Sequence, residues 1–423
     1  MAASTNLGGR IETLDIVRGV AVMGILAMNI VAFAMPPQAY INPLAYGMES
    51  AADLASWLFS FIFVDGKMRG LFSFLFGASM LLVIQLAGKS GDSPRRVTFR
   101  RQLWLLLFGM IHYYFIWFGD ILIAYALIGM LAWFFRNKEP RALIRWGIAL
   151  LMVQLLIMGG SAAYATMLSA EIASGNASPE KLEEWAEFSR DIVASPAVLS
   201  QEMARYLGPW TGIVEYQLTE RATMPLFFTF LFGPETLAYM LFGMAALKSG
   251  FLAGGWDNAR YGRVALVSLA IAVPVYLALA ALLVADNFTV PGIFTYSFAA
   301  TVPFRPLMVV AYAALIILAT RRGGWLAGRI AATGRAAFSN YLGTSIVMTG
   351  LFYGWGLGWF GSLSRAELWW VVVATWVMML AWSKPWLDRF QYGPLEWLWR
   401  SLARWEVQPF RKRIGPPAMA AGA

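Results

Sequence analysis

The chain has 423 residues, of which 59% are hydrophobic and only 13% charged, with no cysteine, one histidine and a formal net charge of +9. An ordinary soluble domain is about a quarter charged, so this composition excludes a water-facing globular surface, and with it disorder and a disulfide scaffold. It describes an all-α polytopic membrane bundle; a lone histidine argues against a metal site, and no metal is expected.

A bilayer core of about 30 Å takes about 20 apolar residues per helix. Ten stretches are read as crossings: about 14–35, 68–87, 102–118, 120–135, 143–167, 225–247, 264–285, 303–319, 336–355 and 366–383. The first is long and ends in Met35-Pro36-Pro37 without an Ala-x-Ala site, so it reads as a retained helix and not as a secretory signal. The apolar stretch 53–64 is too short to cross and is expected as a re-entrant or interfacial helix.

Charge settles the count. With ten crossings and both termini cytoplasmic, 25 of the 33 basic residues and only 8 of the 24 acidic ones fall inside. An eleventh crossing at 53–64 would put the basic cluster of 89–101 on the wrong side. The positive charge is therefore a topology signal of a bacterial inner-membrane protein in contact with lipids, and nucleic acid is not a partner.

The expected organisation is a five-helix membrane half over 1–167, an outer polar insertion over 168–223 and a second five-helix half over 224–423 that ends in a cytoplasmic tail. The insertion holds nine acids and four bases. Ser178-Pro179 and Ser195-Pro196 each pair an N-cap with a proline at the first helical position. Two amphipathic helices on the outer interface, or a lid over an outward cavity, are both consistent with that pattern.

Ionisable groups inside spans are costly and point to function. Asp15 and Arg18 are i,i+3 partners at the inner end of the first span, and Asn29 lies eleven residues deeper. Asp65-Gly66-Lys67-Met68-Arg69 falls on the outer side, where Lys67 and Arg69 oppose the charge trend; it reads as an interfacial turn or as an anion-holding loop. Ser73 and Gly77 form a small-xxx-small face for close helix packing. His112 is expected inside the bundle, as a satisfied imidazole or a general base, about 12 Å below Asp120 at eight residues' helical rise. Asp120, after Gly119, is a candidate N-cap of the following helix. Gly233-Pro234-Glu235 is expected to interrupt the sixth span, with Glu235 protonated or lining a wet cavity. Glu396 and Arg400 form an i,i+4 pair on an inner interfacial helix rich in tryptophan.

Several of these strings resemble the YeiB family of bacterial inner-membrane proteins. They are the opening Leu14-Asp15-Ile16-Val17-Arg18-Gly19 through Asn29, Leu71-Phe72-Ser73-Phe74-Leu75-Phe76-Gly77, and Gly109-Met110-Ile111-His112 with Gly119-Asp120-Ile121-Leu122. Ser339-Asn340-Tyr341-Leu342 and Gly393-Pro394-Leu395-Glu396-Trp397-Leu398-Trp399-Arg400 complete the set. That family is in turn similar to multi-pass membrane acyltransferases of the polysaccharide O-acetyltransferase and heparan-α-glucosaminide N-acetyltransferase types. The wider resemblance implies transfer of an acyl group from cytoplasmic acyl-CoA to an acceptor across the membrane. In the O-acyltransferases an arginine in the first helix is followed eleven residues later by a histidine; Arg18 matches the arginine, and Asn29 stands where the histidine would be. The heparan enzyme's histidine falls near Pro43 here.

Three functions are therefore carried forward. In the first, an acyltransferase-like protein uses His112 as base, with Asp15, Arg18, Asn29, Lys67, Arg69, Asp120 and Glu235 around a donor such as acyl-CoA and a lipid-linked or small-molecule acceptor. The second is a permease for a small metabolite or lipid, with Glu235, Asn29 and His112 lining the path. The third is a non-catalytic scaffold. An inner-facing cleft of CoA size separates the first from the others.

Overall fold

The computed structural model describes residues 11–412; Arg10 and Arg413 of the charge count lie outside them. The described residues form eighteen helices: α1 Glu12–Ala34, α2 Pro37–Ile41, α3 Ala51–Phe59, α4 Lys67–Lys89, α5 Pro94–Phe115, α6 Leu122–Ala132, α7 Pro140–Ala173, α8 Pro179–Ser189 and α9 Pro196–Tyr206. They continue as α10 Trp210–Thr219, α11 Met224–Lys248, α12 Asn258–Ala285, α13 Val290–Gly292, α14 Arg305–Thr320, α15 Trp325–Arg335, α16 Ala337–Phe352, α17 Leu368–Arg389 and α18 Pro394–Arg404. Each of the ten expected crossings lies on one of these helices. By length and composition, five stretches among the described residues can cross a membrane: Glu12–Ala34, Ala51–Lys89, Pro140–Ala173, Met224–Lys248 and Asn258–Ala285. Leu122–Phe135 and Arg305–Thr320 are shorter apolar helices.

Glycines set the closest approaches. A Cβ on Gly77 would stand 2.1 Å from the carbonyl oxygen of Met240, and one on Gly243 would stand 1.7 Å from that of Phe74. The backbones of α4 and α11 thus touch where the small-residue face was read in the sequence. α1 runs antiparallel to α4, with Gly24 against Met68 and Arg18 against Ser79. The end where α1 begins and α4 finishes carries most of the arginines and is called the basic end below; the opposite end is the far end.

The serine caps form as expected. Ser178 Oγ accepts the Lys181 N–H and Ser195 Oγ accepts that of Val198, starting α8 and α9. A third helix, α10, was not foreseen. α9 and α10 lie across the far end: Tyr206 packs among Phe118, Tyr353 and Phe360, and Trp210 Nε1 donates to the Phe115 carbonyl.

Three local expectations are corrected. The 53–64 stretch is a helix, but its last five residues, Ser60–Val64, widen into a π turn, and the next helix starts after Gly66 at a positive φ of 71°. Lys67 is consequently not in an interfacial turn but buried. Second, α11 runs straight through Pro234. A side chain from α7 bridges the backbone beside the proline: Gln154 Oε1 accepts the Glu235 N–H at 3.2 Å, and Gln154 Nε2 donates to the Leu231 carbonyl at 3.1 Å. One amide from α7 thereby contacts both a backbone donor and a backbone acceptor of α11 next to the proline. Third, Glu396 does not direct its hydrogen bonds to Arg400. Its carboxylate accepts the N–H groups of Phe338 and Ser339 and the Ser339 hydroxyl, capping α16 and pinning α18 to the bundle.

Candidate functional site

A cavity of about 500 Å3 opens at the basic end between α1, α4, α5, α16 and α18. Among the described residues, its outer part is lined by Arg18, Lys89, Arg101, Arg335 and Arg400, with Asp15 and Glu396 as the only carboxylates. Asp15 pairs with Arg18 at 3.2 Å, and Arg18 also donates to Ser79 Oγ at 2.8 Å, so the first-helix pair is fixed to α4. Arg101 lies 4.0 Å from the centre of the Trp399 ring, and Trp399 Nε1 donates back to the Arg101 carbonyl. Five cations against two carboxylates give this wall a net positive field facing a water-accessible mouth. The deep part is apolar and aromatic: Phe72, Leu75, Phe76, Leu122, Tyr125, Phe338 and Tyr341. The lining therefore matches an amphiphile with an anionic head and an apolar or acyl tail.

His112 and Asp120 touch, although the sequence placed them about 12 Å apart. Nδ1 lies 2.7 Å from the carboxylate, and both side chains are shut off from solvent. The helical rise does not apply, because α5 stops at Phe115 and the chain folds back. The turn requires Gly119, where a Cβ would sit 2.1 Å from the Trp117 ring. The other oxygen of Asp120 accepts the Ile123 N–H at 2.8 Å, so the same carboxylate also holds the first turn of α6 from one residue before its N-cap, Ile121. An acceptor on Nδ1 keeps the proton there and leaves Nε2 as the basic nitrogen. Nε2 is buried with no hydrogen-bond partner.

His112 does not itself line the cavity. The wall between them is Tyr341, whose ring centre is 5.2 Å from the imidazole and whose hydroxyl accepts the Ile121 N–H at 3.3 Å. Asn29 is buried on α1, lines no part of the cavity and is not hydrogen-bonded to His112.

A second polar cluster lies deeper. Glu235 is fully buried and ion-paired with both Arg69, at 2.6 Å, and Arg305. Its charge is compensated by two guanidiniums. Arg305 Nη2 donates to Thr301 Oγ1 at 2.6 Å. Lys67 donates to the Phe61 carbonyl in the π turn and stands 3.6 Å above the Tyr276 ring. The cavity and this cluster are joined through α4: the Tyr125 hydroxyl is 2.8 Å from Ser73 Oγ and donates to the Arg69 carbonyl at 3.3 Å.

The sequence-predicted residues thus fall into three places. Asp15 and Arg18 are at the cavity, His112 and Asp120 form a buried pair beside its deep wall, and Lys67, Arg69 and Glu235 form the deeper cluster. Sequence reasoning missed Arg305, Tyr341, Gln154 and the set Arg101, Arg335 and Arg400 as one site. Arg305 carried a usable signal, being a cation at the outer start of an apolar span. Among the described residues, no group of three or more His, Asp or Glu side chains could hold a metal ion.

The family model described as "Protein of unknown function (DUF418)" matches residues 246–406. The chain is 31% identical over 406 residues to the uncharacterized protein YeiB of Escherichia coli strain K12, covering 92% of this chain and 95% of the other. It is 30% identical over 418 residues to the uncharacterized protein YxaH of Bacillus subtilis strain 168, covering 96% of each. No solved structure matches it significantly. With near end-to-end similarity to both proteins, the chain belongs to the YeiB family of helical membrane proteins.

Proposed function

We propose that this protein transfers an acyl group from a phosphorylated donor of the acyl-CoA type to a lipid-linked or small-molecule hydroxyl acceptor. The observation that carries the reading is the cavity at the basic end. Its five cations suit the phosphates of the donor head, and its aromatic depth suits the pantetheine arm and acyl chain.

The chemistry falls to His112. The acceptor hydroxyl adds to the thioester carbonyl; its proton passes to His112 Nε2, and the carbon–sulfur bond breaks as the carbon–oxygen bond forms. The same proton then goes to the leaving thiolate, so His112 ends as it began. Asp120 is a positioning residue that holds the imidazole by Nδ1. Tyr341 must swing aside or lend its hydroxyl for the two sites to communicate. In this reading the basic end meets the cytoplasm of a bacterial inner membrane, with both termini on that side, in keeping with the excess of basic residues there.

The test is transfer of label from radioactive acetyl-CoA to extracted membrane lipids and sugars, with purified protein in lipid nanodiscs. The wild type should transfer, and His112→Gln, which keeps hydrogen bonding but not the basic nitrogen, should not. Full activity in His112→Gln rejects it as the base. A second reading, transport of a small anion, is favoured by one observation: the broken α3–α4 path with its charges in the middle of the bundle. Uptake into proteoliposomes without any labelled product would favour that reading.

A further inference from the structure

Of the eight basic residues that the topology assigns to the far side, Lys67, Arg69 and Arg305 converge inside the bundle; Arg365 is buried as well, but its guanidinium donates to the Ala39 and Tyr46 carbonyls. They lie deep. Glu235, which binds two of them, is eleven residues from the start of α11, about 16 Å along its axis. Tyr276, under the Lys67 amine, is nine residues from the end of α12, about 14 Å.

The charge in this place does not balance. Among the described residues, Glu235 and Asp65 oppose the three cations, and Asp65, which lies within electrostatic reach of Lys67, Arg365 and Arg305, makes no ion pair with Lys67 or Arg305. Two helices also begin here, α4 at Lys67 and α14 at Arg305. Each N-terminus adds about half a positive charge, which brings the excess to about +2. Cations buried at such depth are costly unless compensated. A donor is also left unused: Arg305 is about nine-tenths buried, and its Nε has no hydrogen-bond partner. That Nε faces Gly66, the residue preceding α4, where a Cβ would come within 2.6 Å of it. The glycine keeps the guanidinium edge bare at the helix start.

From this arrangement we infer that the centre of the bundle is an oxyanion-binding site. Lys67, Arg305 and the N-termini of α4 and α14 hold a carboxylate, phosphate or sulfate group, and Glu235 is the internal counter-charge that keeps the empty site folded. The site stands independently of acyl transfer: in the transferase reading it holds an anionic group of the acceptor, and in the transport reading it holds the cargo. The Tyr125–Ser73–Arg69 connection places it one hydrogen-bonded step beyond the cavity's deep wall. It is not the cavity, whose cations are a different set.

The experiment uses the full chain in nanodiscs of phosphatidylcholine, with thermal unfolding read by tryptophan fluorescence. Inorganic phosphate, sulfate and acetate are each titrated against chloride at matched ionic strength. At least one should give a saturable rise in the unfolding midpoint. Arg101→Gln/Arg400→Gln, which disarms the cavity, should keep that response; Lys67→Met should weaken its half-saturation at least tenfold. Glu235→Gln removes the counter-charge without removing volume. It should unfold earlier in chloride and recover most of the loss on adding the anion, with tighter half-saturation than the wild type, which keeps the test decisive if Lys67→Met misfolds. In a second arm, phosphatidic acid replaces part of the phosphatidylcholine: stabilisation by the lipid with none by free anions identifies a lipid phosphate as the source. Absence of any saturable response in either arm, a response unchanged in Lys67→Met, or one abolished by Arg101→Gln/Arg400→Gln overturns the inference. None of these readouts depends on acyl transfer, so failure here and failure of the transferase reading are separate results.

Discussion

Replacing Glu235 by alanine removes the carboxylate that two guanidiniums share. Arg69 and Arg305 differ in what they can do next. The Arg69 side chain is 19% exposed and can turn toward the aromatic face of Phe232, 5.2 Å from its guanidinium. The Arg305 side chain is only 10% exposed and is held by Thr301. Breaking a buried pair by deleting one partner costs about 3–5 kcal/mol, and Arg305 accounts for most of it here. Glu235→Ala should therefore lose about 3–5 kcal/mol in chloride buffer, read from SDS- or heat-induced unfolding in detergent by tryptophan fluorescence. Glu235→Leu/Arg305→Leu removes both buried charges and replaces them with apolar volume. It should recover more than half of that loss, because an absent pair costs far less than a widowed one. A Glu235→Ala protein within about 1 kcal/mol of wild type would refute the reasoning, since that is the size expected of an exposed pair. A double variant less stable than the single would refute it as well.

Four further outcomes follow from the packing. Asp120→Asn keeps an acceptor for the Ile123 N–H but presents an amide to His112 Nδ1, so stability should fall by no more than about 1 kcal/mol while transfer falls at least about a hundredfold. Glu396→Ala leaves the N–H groups of Phe338 and Ser339 uncapped and should cost about 1–3 kcal/mol, with faster proteolysis around α18 as the visible sign. Gly243→Ala drives a methyl into the Phe74 carbonyl and should cost at least about 1–3 kcal/mol, whereas Gly159→Ala, which meets nothing within 4 Å, should be neutral or mildly stabilising. In a chain that lacks cysteine, a single cysteine at position 180 should be labelled only from the periplasmic side, and labelling only from the cytoplasm would reverse the topology.

The sequence carried the helices well because lipid leaves the backbone few choices: long apolar runs must be helical, and Ser-Pro pairs mark helix starts on their own. The cavity was partly legible, since Asp15 and Arg18 were singled out on α1. Arg101, Arg335 and Arg400 were read as topology charges because nothing local distinguishes a cavity-lining arginine from one beside lipid head groups. The His112–Asp120 contact was hidden by the assumption of continuous helical rise, which fails where Gly119 lets the loop fold back. Lys67 was misplaced for a related reason: a short apolar stretch reads as interfacial until a π turn and Gly66 show that the path continues into the bundle. Gln154 was beyond reach, because its role exists only against the backbone beside Pro234 on a neighbouring helix, 80 residues away in the sequence.

The central claim, that the cationic cavity holds a phosphorylated acyl donor, is tested most directly by CoA binding to purified protein in neutral-lipid nanodiscs, followed by calorimetry at two salt concentrations. The wild type and His112→Gln should bind alike, more weakly at higher salt, and Arg101→Gln/Arg400→Gln should bind at least about tenfold more weakly, a loss of about 1.4 kcal/mol. Absence of binding by the wild type, or equal binding by the double arginine variant, would contradict the account.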